Sequence, residues 1–283
     1  MAKRAMLLLV PVLAAAMWGT PQRPHERTKM SPSQVVESVK RRNWDIVEEP
    51  GHIGQDAVPA LLPLLNDPDS QVRELTVVCL DSAGGPAANQ GLLKALDDHI
   101  ETVSAAAVRA LAHHYTAAEL PILRIEMGTN PNEYVREQIA LLLGKTGDPF
   151  NIPILHARRS PEKDEHTQRA LSLALARLGD PAGRQEVVAR LSGKDARQLV
   201  AAVRDLPYVN DRLLLRAAAP LLDDTRPGLN VGLAHTPTFI RVCDVVVIVM
   251  GEMLGPVFSF NPGRRRFSPE EIAEAKQVMA RIQ

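Results

Sequence analysis

The sequence predicts an all-α, right-handed α-solenoid of stacked two-helix repeats. Three observations predict this fold: a segment recurs at a fixed spacing, its apolar residues follow a helical period, and no strand-like alternation competes with it. Composition agrees, because the chain is 45% hydrophobic but only 4% aromatic. Ala and Leu supply the apolar mass instead, and these residues suit closely packed helices.

The clearest repeat pairs residues 134–149 with residues 166–181, which align without a gap at a shift of 32 residues. Both copies end in Gly-Asp-Pro, which supplies a C-terminal glycine and stops the helix. The same frame extends in both directions. It places the starts of the second helices at Val72, Val103, Val135, Thr167 and Ala196, which are 31, 32, 32 and 29 residues apart. These spacings are typical of a two-helix unit.

Each predicted second helix carries apolar residues at positions i, i+4, i+7 and i+8. In the clearest copy these residues are Val135, Ile139, Leu142 and Leu143. This spacing predicts one buried stripe along the helix. A shorter apolar helix precedes each second helix and completes the repeat.

The first 20 residues have the pattern of a secretory signal peptide. Lys3 and Arg4 precede an apolar stretch, residues 5–18, that is short for a membrane span, and Ala14–Ala16 offers small residues for cleavage. We therefore expect an exported protein, periplasmic or secreted. A retained N-terminal membrane anchor and an ordinary buried helix are the alternatives.

The remaining boundaries follow from helix-start signals and composition. Ser31-Pro32-Ser33-Gln34 begins a capping helix that we expect to reach about Glu48, and Ser268-Pro269-Glu270-Glu271 begins a final one. The predicted regions are a linker at 21–30, a capping helix and loop at 31–54, repeats at 55–255 with an insertion at about 225–238, and a C-terminal loop and helix at 256–283.

The repeat resembles the HEAT-repeat superfamily, including its phycobiliprotein-lyase-like bacterial branch. Leu61–Leu80 and the Leu-Gly-Asp-Pro type of linker carry the resemblance, which covers roughly residues 55–255. It implies a solenoid but no specific function.

The resemblance also implies structural roles for two kinds of residue. Asp67 and Asp97 would satisfy backbone groups in the turn between helices, and Arg73 and Arg136 would pair between neighbouring repeats. Ser104 and Gln168 take the arginine position in the copies that start at Val103 and Thr167, so we expect this ladder to be interrupted there.

Metal and catalytic chemistry are not expected. His113 and His114 follow the cluster Asp97-Asp98-His99 in sequence, but a metal site needs three or four converging ligands. Metal-dependent hydroxylases with HEAT-type repeats use repeated His-Glu pairs on their helices. This sequence has such a pair only at His25-Glu26. We predict no catalytic residue, no metal and no cofactor.

Cys79 and Cys243 lie on apolar helix faces far apart in the repeat order, so we expect both to be buried and unpaired.

A column of basic residues suggests a partner-binding stripe. His113, Lys145 and Arg177 are spaced 32 residues apart and therefore share one repeat position. Compensation of the helix dipole in the last turn is the favoured interpretation of the column. With Leu229 and His235 of the insertion, these three are the candidate partner-binding residues.

The sequence favours a non-enzymatic scaffold that binds a protein or peptide. The alternative is a HEAT-like lyase or another enzyme acting on a ligand in the concave groove. Binding of nucleic acid, as by HEAT-like DNA glycosylases, is disfavoured because 33 basic and 33 acidic residues leave no net charge. A membrane contact is expected only through an uncleaved N-terminal segment.

Overall fold

The computed structural model describes residues 29–48, 51–231 and 238–282 of the 283-residue chain. The predicted signal peptide, most of the linker, His25-Glu26 and His235 lie outside the described residues. Within the described part, no helix is both long enough and apolar enough to cross a membrane.

The N-terminal cap is shorter than the sequence suggested. Helix α1 spans Pro32–Lys40 and starts with a capping box, in which the Ser31 hydroxyl accepts from the backbone N–H of Gln34 and the Gln34 side chain accepts from the N–H of Ser31. The expected extension to about Glu48 is wrong. Arg42 adopts a positive φ of 57°, which ends the helix, and a separate 3-10 turn follows at Trp44–Val47.

The body of the chain is a series of helix pairs. The first helices of the pairs are α2 (Val58–Leu61, continued by a 3-10 turn at Leu62–Asn66), α4 (Pro86–Ala95), α6 (Leu120–Thr129), α8 (Asn151–Arg159), α10 (Pro181–Leu191) and α12 (Arg212–Leu215, continued by a 3-10 turn at Arg216–Asp223). The second helices are α3 (Ser70–Ala83), α5 (Glu101–His114), α7 (Glu133–Lys145), α9 (Glu165–Arg177), α11 (Ala196–Val209) and α13 (Val242–Leu254).

Successive second helices pack against one another in chain order, and each also packs against the first helix of its own pair. Nearest-neighbour stacking of this kind defines a solenoid. The all-α solenoid of two-helix repeats predicted from the sequence is therefore confirmed.

The apolar stripe of the second helices forms the core. Val135, Ile139, Leu142 and Leu143 are at most 2% exposed. Two clusters of buried residues adjoin within α9, and the side chain of Leu141 packs against both. The core therefore runs along the whole described array, as stacked repeats require.

The ends of the second helices follow the expected turn chemistry. Side chains of Asp or Asn accept backbone N–H groups at the N-termini of four of them, at Asp69, Asn132, Asp164 and Asp195. Gly147 and Gly179 adopt positive φ values of 70° and 85° just after α7 and α9. A side chain would strain this conformation, so the glycine of the Gly-Asp-Pro linker is needed there.

Two short strands that the sequence did not predict lie at the insertion, one within it and one just after its predicted end. Strand β1 (Pro227–Asn230) pairs antiparallel with β2 (Phe239–Arg241), and β1 packs against α11. The ribbon is fixed at its base, where the Arg226 guanidinium donates to the Asp224 carboxylate and to the carbonyl of Lys194. The short strands were missed because a two-stranded ribbon of this length shows no sustained alternation.

Helix α14 (Pro269–Ala280) closes the C-terminal end. It begins with the expected capping box between Ser268 and Glu271. Cys79 and Cys243 are both buried and free, as predicted.

Candidate partner-binding surface

A shallow groove of about 310 Å³ crosses three successive second helices. Its lining residues come from α3, α5 and α7: Val78, Asp81, Ala106, Arg109, Ala110, Ala112, His113 and Gln138. The alanines of α5 leave room between the larger side chains of the two flanking helices. The groove therefore depends on the register between neighbouring repeats.

Buried arginines join neighbouring repeats at two places. The Arg73 guanidinium, which is 6% exposed, donates to both oxygens of Asp98 at 2.6 and 2.9 Å and to the carbonyl of Asp67 at 2.9 Å. Burial opposes ionisation of Asp98, but the hydrogen bonds from Arg73 and from the N–H of Ile100 outweigh it and lower the pKa of Asp98. The pairing between neighbouring repeats that was implied for Arg73 is present, with Asp98 as its partner. Asp67 accepts a turn N–H as expected, from Asp69, whereas Asp98 and not Asp97 does so in the next turn, from Ile100.

Arg136 repeats the arrangement two pairs further on. Its guanidinium donates to both oxygens of Glu162 at 2.8 and 3.0 Å and to the carbonyls of Asn130 and Pro131. Burial acts to raise the pKa of Glu162, but hydrogen bonds from Arg136, the N–H of Asp164 and Arg158 outweigh it and lower the pKa to about 2. The carboxylate is therefore charged at neutral pH.

The ladder of charged pairs is interrupted at Ser104 and Gln168, as expected, but both side chains still form hydrogen bonds. Ser104, at the arginine position, accepts a hydrogen bond from Asn132 of the next repeat at 3.0 Å. Gln168 donates to the carbonyls of Arg159 and Glu162, both at 2.8 Å. Gln168 thus satisfies the turn of its repeat without a charge, whereas Ser104 bonds to the cap residue of the next repeat.

The basic column does not form one uniform stripe. His113 lies on the rim of the groove, with its Nδ1 3.4 Å from Oδ1 of Asp81. Lys145 is exposed and has no hydrogen bond or ion pair with a described residue. The Arg177 side chain contacts α11 of the same protein. It donates to the carbonyl of Tyr208, and its guanidinium lies 5.3 Å from the centroid of the Tyr208 ring.

Leu229 belongs to a different part of the molecule. It lies on β1, half-buried against the C-terminal core beside α11. The groove is lined only from α3, α5 and α7, so the structure does not bring Leu229 together with His113. The column and the insertion are separate surfaces.

Arg109 is the groove residue that the sequence analysis missed. It is exposed, lines the groove, and makes no hydrogen bond or ion pair with any described residue. Its position four residues before His113 puts both side chains on one face of α5. That spacing was the available signal, but only the fold shows that this face lines a depression.

The two thiols are poor nucleophiles. Burial raises the pKa of Cys79 to about 12 and also raises the pKa of Cys243. Both are protonated at neutral pH, whereas thiol chemistry needs the thiolate.

Comparison with known proteins identifies the repeat. Residues 58–130 match the family model described as HEAT repeats, which confirms the resemblance seen in the sequence. No curated protein matches the chain.

Two solved structures are similar in outline. The complex of CpcE and CpcF of phycocyanin lyase from Nostoc sp. PCC7120 is 16% identical, with 94% of this chain and 99% of that chain covered and a TM-score of 0.49. Human deoxyhypusine hydroxylase in complex with glycerol is 15% identical, with 81% and 96% covered and a TM-score of 0.39. At such low identities and TM-scores, neither similarity says anything about the activity of this chain.

Proposed function

Because residues 58–130 are HEAT repeats and the helix pairs after them stack in the same order, we propose that the protein is an exported, non-enzymatic scaffold that binds a protein or peptide in the groove across α3, α5 and α7. One observation carries the proposal. Arg109 lies exposed in a depression of about 310 Å³ without a partner among the described residues.

The chemistry of the groove favours an extended segment that carries a carboxylate. Ala106, Ala110 and Ala112 leave space at the surface of α5, and Arg109 supplies a guanidinium with several N–H donors. A guanidinium without an internal partner can form a two-point hydrogen bond with a carboxylate of the partner. Solenoids commonly use such extended surfaces for recognition.

Capture from an envelope extract of the source cells tests the binding proposal. The bait is the chain without residues 1–20, and captured proteins are identified by mass spectrometry. We expect a reproducible partner whose recovery falls at least tenfold, about 1.4 kcal/mol, in Arg109→Glu. The matched control is Arg212→Glu, an exposed arginine on α12 that also lacks a partner among the described residues. Equal capture by wild type and Arg109→Glu contradicts the assignment of the groove.

Export rests on the N-terminal sequence alone. Lys3 and Arg4 followed by the apolar stretch 5–18 support it. Cell fractionation with N-terminal sequencing tests it: we expect the envelope fraction to hold a chain that has lost its first residues. Leu8→Arg, which breaks the apolar stretch, should leave the intact chain in the cytoplasm. Cytoplasmic location of the unaltered chain contradicts export.

A further inference from the structure

A cluster of two histidines and one aspartate lies at the rim of the groove. Its members are Asp81 in the last turns of α3 and the adjacent residues His113 and His114 at the end of α5. One ligand atom from each residue lies within 4.8 Å of the other two. The sequence separates Asp81 from the histidines by a whole repeat, so only the packing of α3 against α5 brings them together.

The two rings converge on one carboxylate oxygen. Nε2 of His114 lies 2.9 Å, and Nδ1 of His113 3.4 Å, from Oδ1 of Asp81. The rings are nearly perpendicular, at 86°, with centroids 6.1 Å apart. Neighbouring residues in a helix normally point in different directions, but α5 ends at His114, and both nitrogens face the same point.

These separations suit a metal ion. Bonds of about 2.0–2.2 Å in a tetrahedral zinc site separate the ligand atoms by roughly 3.3–3.6 Å. The two distances to Oδ1 of Asp81, 2.9 and 3.4 Å, lie below and within that range, and all three ligand atoms lie within 4.8 Å of one another, so small side-chain rotations would place them at coordination distance. Two imidazoles with one carboxylate favour a transition metal over Mg²⁺ or Ca²⁺, which prefer oxygen ligands.

The cluster is also open to solvent. The side chains of Asp81, His114 and His113 are 28%, 38% and 66% exposed. A metal held by three protein ligands at such a place keeps a position free for water or for a group of a second molecule.

We propose that Asp81, His113 and His114 bind one divalent transition-metal ion, with zinc as the representative ion. This site departs from the sequence expectation of no metal. It goes beyond the proposed scaffold function and does not depend on it, because it is tested on the isolated chain.

Titration calorimetry with Zn²⁺ on the full chain without a histidine tag tests the site. We expect one Zn²⁺ per chain near neutral pH, where histidine is largely unprotonated, and no comparable binding of Mg²⁺. Asp81→Asn and His114→Ala should each weaken zinc binding at least about tenfold. His156→Ala is the matched control, because Nε2 of His156 lies 3.0 Å from Asp180 in a His–Asp pair without a second histidine ligand.

Thermal unfolding gives a second measurement that also reports folding. Zinc should raise the midpoint of the wild type and of His156→Ala, but not those of Asp81→Asn and His114→Ala, because a ligand stabilises only the state that binds it. The three ligands are exposed or half-exposed, so the variants should unfold at nearly the wild-type temperature without metal. Absence of zinc binding by the wild type, or equal losses in the His156 control and the cluster variants, overturns the proposal.

Discussion

The Arg136 guanidinium and the Glu162 carboxylate form a buried two-point ion pair that joins one repeat to the next, with side chains 8% and 2% exposed. The same guanidinium also donates to two carbonyls in the turn before α7. The pair thus fixes both the turn and the stacking of α7 on the following repeat.

Loss of Arg136 should be strongly destabilising. Arg136→Ala leaves the buried Glu162 carboxylate without its main partner and should lower the free energy of unfolding by about 3–5 kcal/mol. Urea unfolding followed by circular dichroism measures the change. The control is Arg41→Ala, which removes an exposed pair with Glu37 and should cost less than about 1 kcal/mol. Similar losses of unfolding free energy in both variants would show that the buried pair contributes no more to stability than the exposed pair.

Stability should fall in acid because of the same pair. The folded pKa of Glu162, about 2, lies below its ordinary value of 4.5, so the unfolded chain takes up the proton first. The contribution of Glu162 is complete above about pH 4.5 and is lost as pH falls towards 2. Urea unfolding across this range should show a shallower decline in Glu162→Gln than in the wild type. Identical slopes in the two proteins would contradict this assignment.

The contact between α7 and α9 leaves no room for a side chain at Gly144. A Cβ atom there would lie 2.8 Å from Cα and 2.9 Å from Cβ of Ala174. Gly144→Ala should therefore push the helices apart and cost about 1–3 kcal/mol of unfolding free energy. Gly128→Ala, on α6, meets nothing within 4 Å and should be neutral or slightly stabilising. Thermal unfolding of both variants decides; a neutral Gly144→Ala would refute the close packing.

Gln168 should matter although it is uncharged. Gln168→Ala removes two hydrogen bonds from the turn that contains Glu162 and should cost about 1–3 kcal/mol, because two carbonyls lose their donor. Gln198→Ala, at an exposed position of α11, should change stability by less than about 0.5 kcal/mol. Chemical unfolding measures the loss of stability in both variants. Equal losses would show that the Gln168 amide does not replace arginine in this repeat.

The sequence predicted the fold because the repeat is local. A shift of 32 residues and a period within each helix were enough to place α7 and α9. The end of α1 could not be predicted, since it depends on the positive φ of Arg42. The ribbon of β1 and β2 was too short to show a period.

The candidate site was harder to predict because it depends on contacts between repeats. The spacing of the repeat predicted the column of His113, Lys145 and Arg177. It could not predict the contact of Arg177 with Tyr208. The approach of Asp81 to His113 depends on the relative placement of α3 and α5, which side-chain packing determines. Arg109 lacks any motif, and only the groove around it distinguishes it from other exposed arginines.

Filling the groove is the most direct test of the claim that it binds a partner. Ala112 and Ala201 are both exposed alanines on second helices, but only Ala112 lines the groove. The measurement is quantitative capture of the partner from the envelope extract by Ala112→Trp and Ala201→Trp. We predict that Ala112→Trp abolishes capture while Ala201→Trp retains it at the wild-type level. Full capture by Ala112→Trp, with its fold intact by circular dichroism, would show that the partner does not bind in the groove.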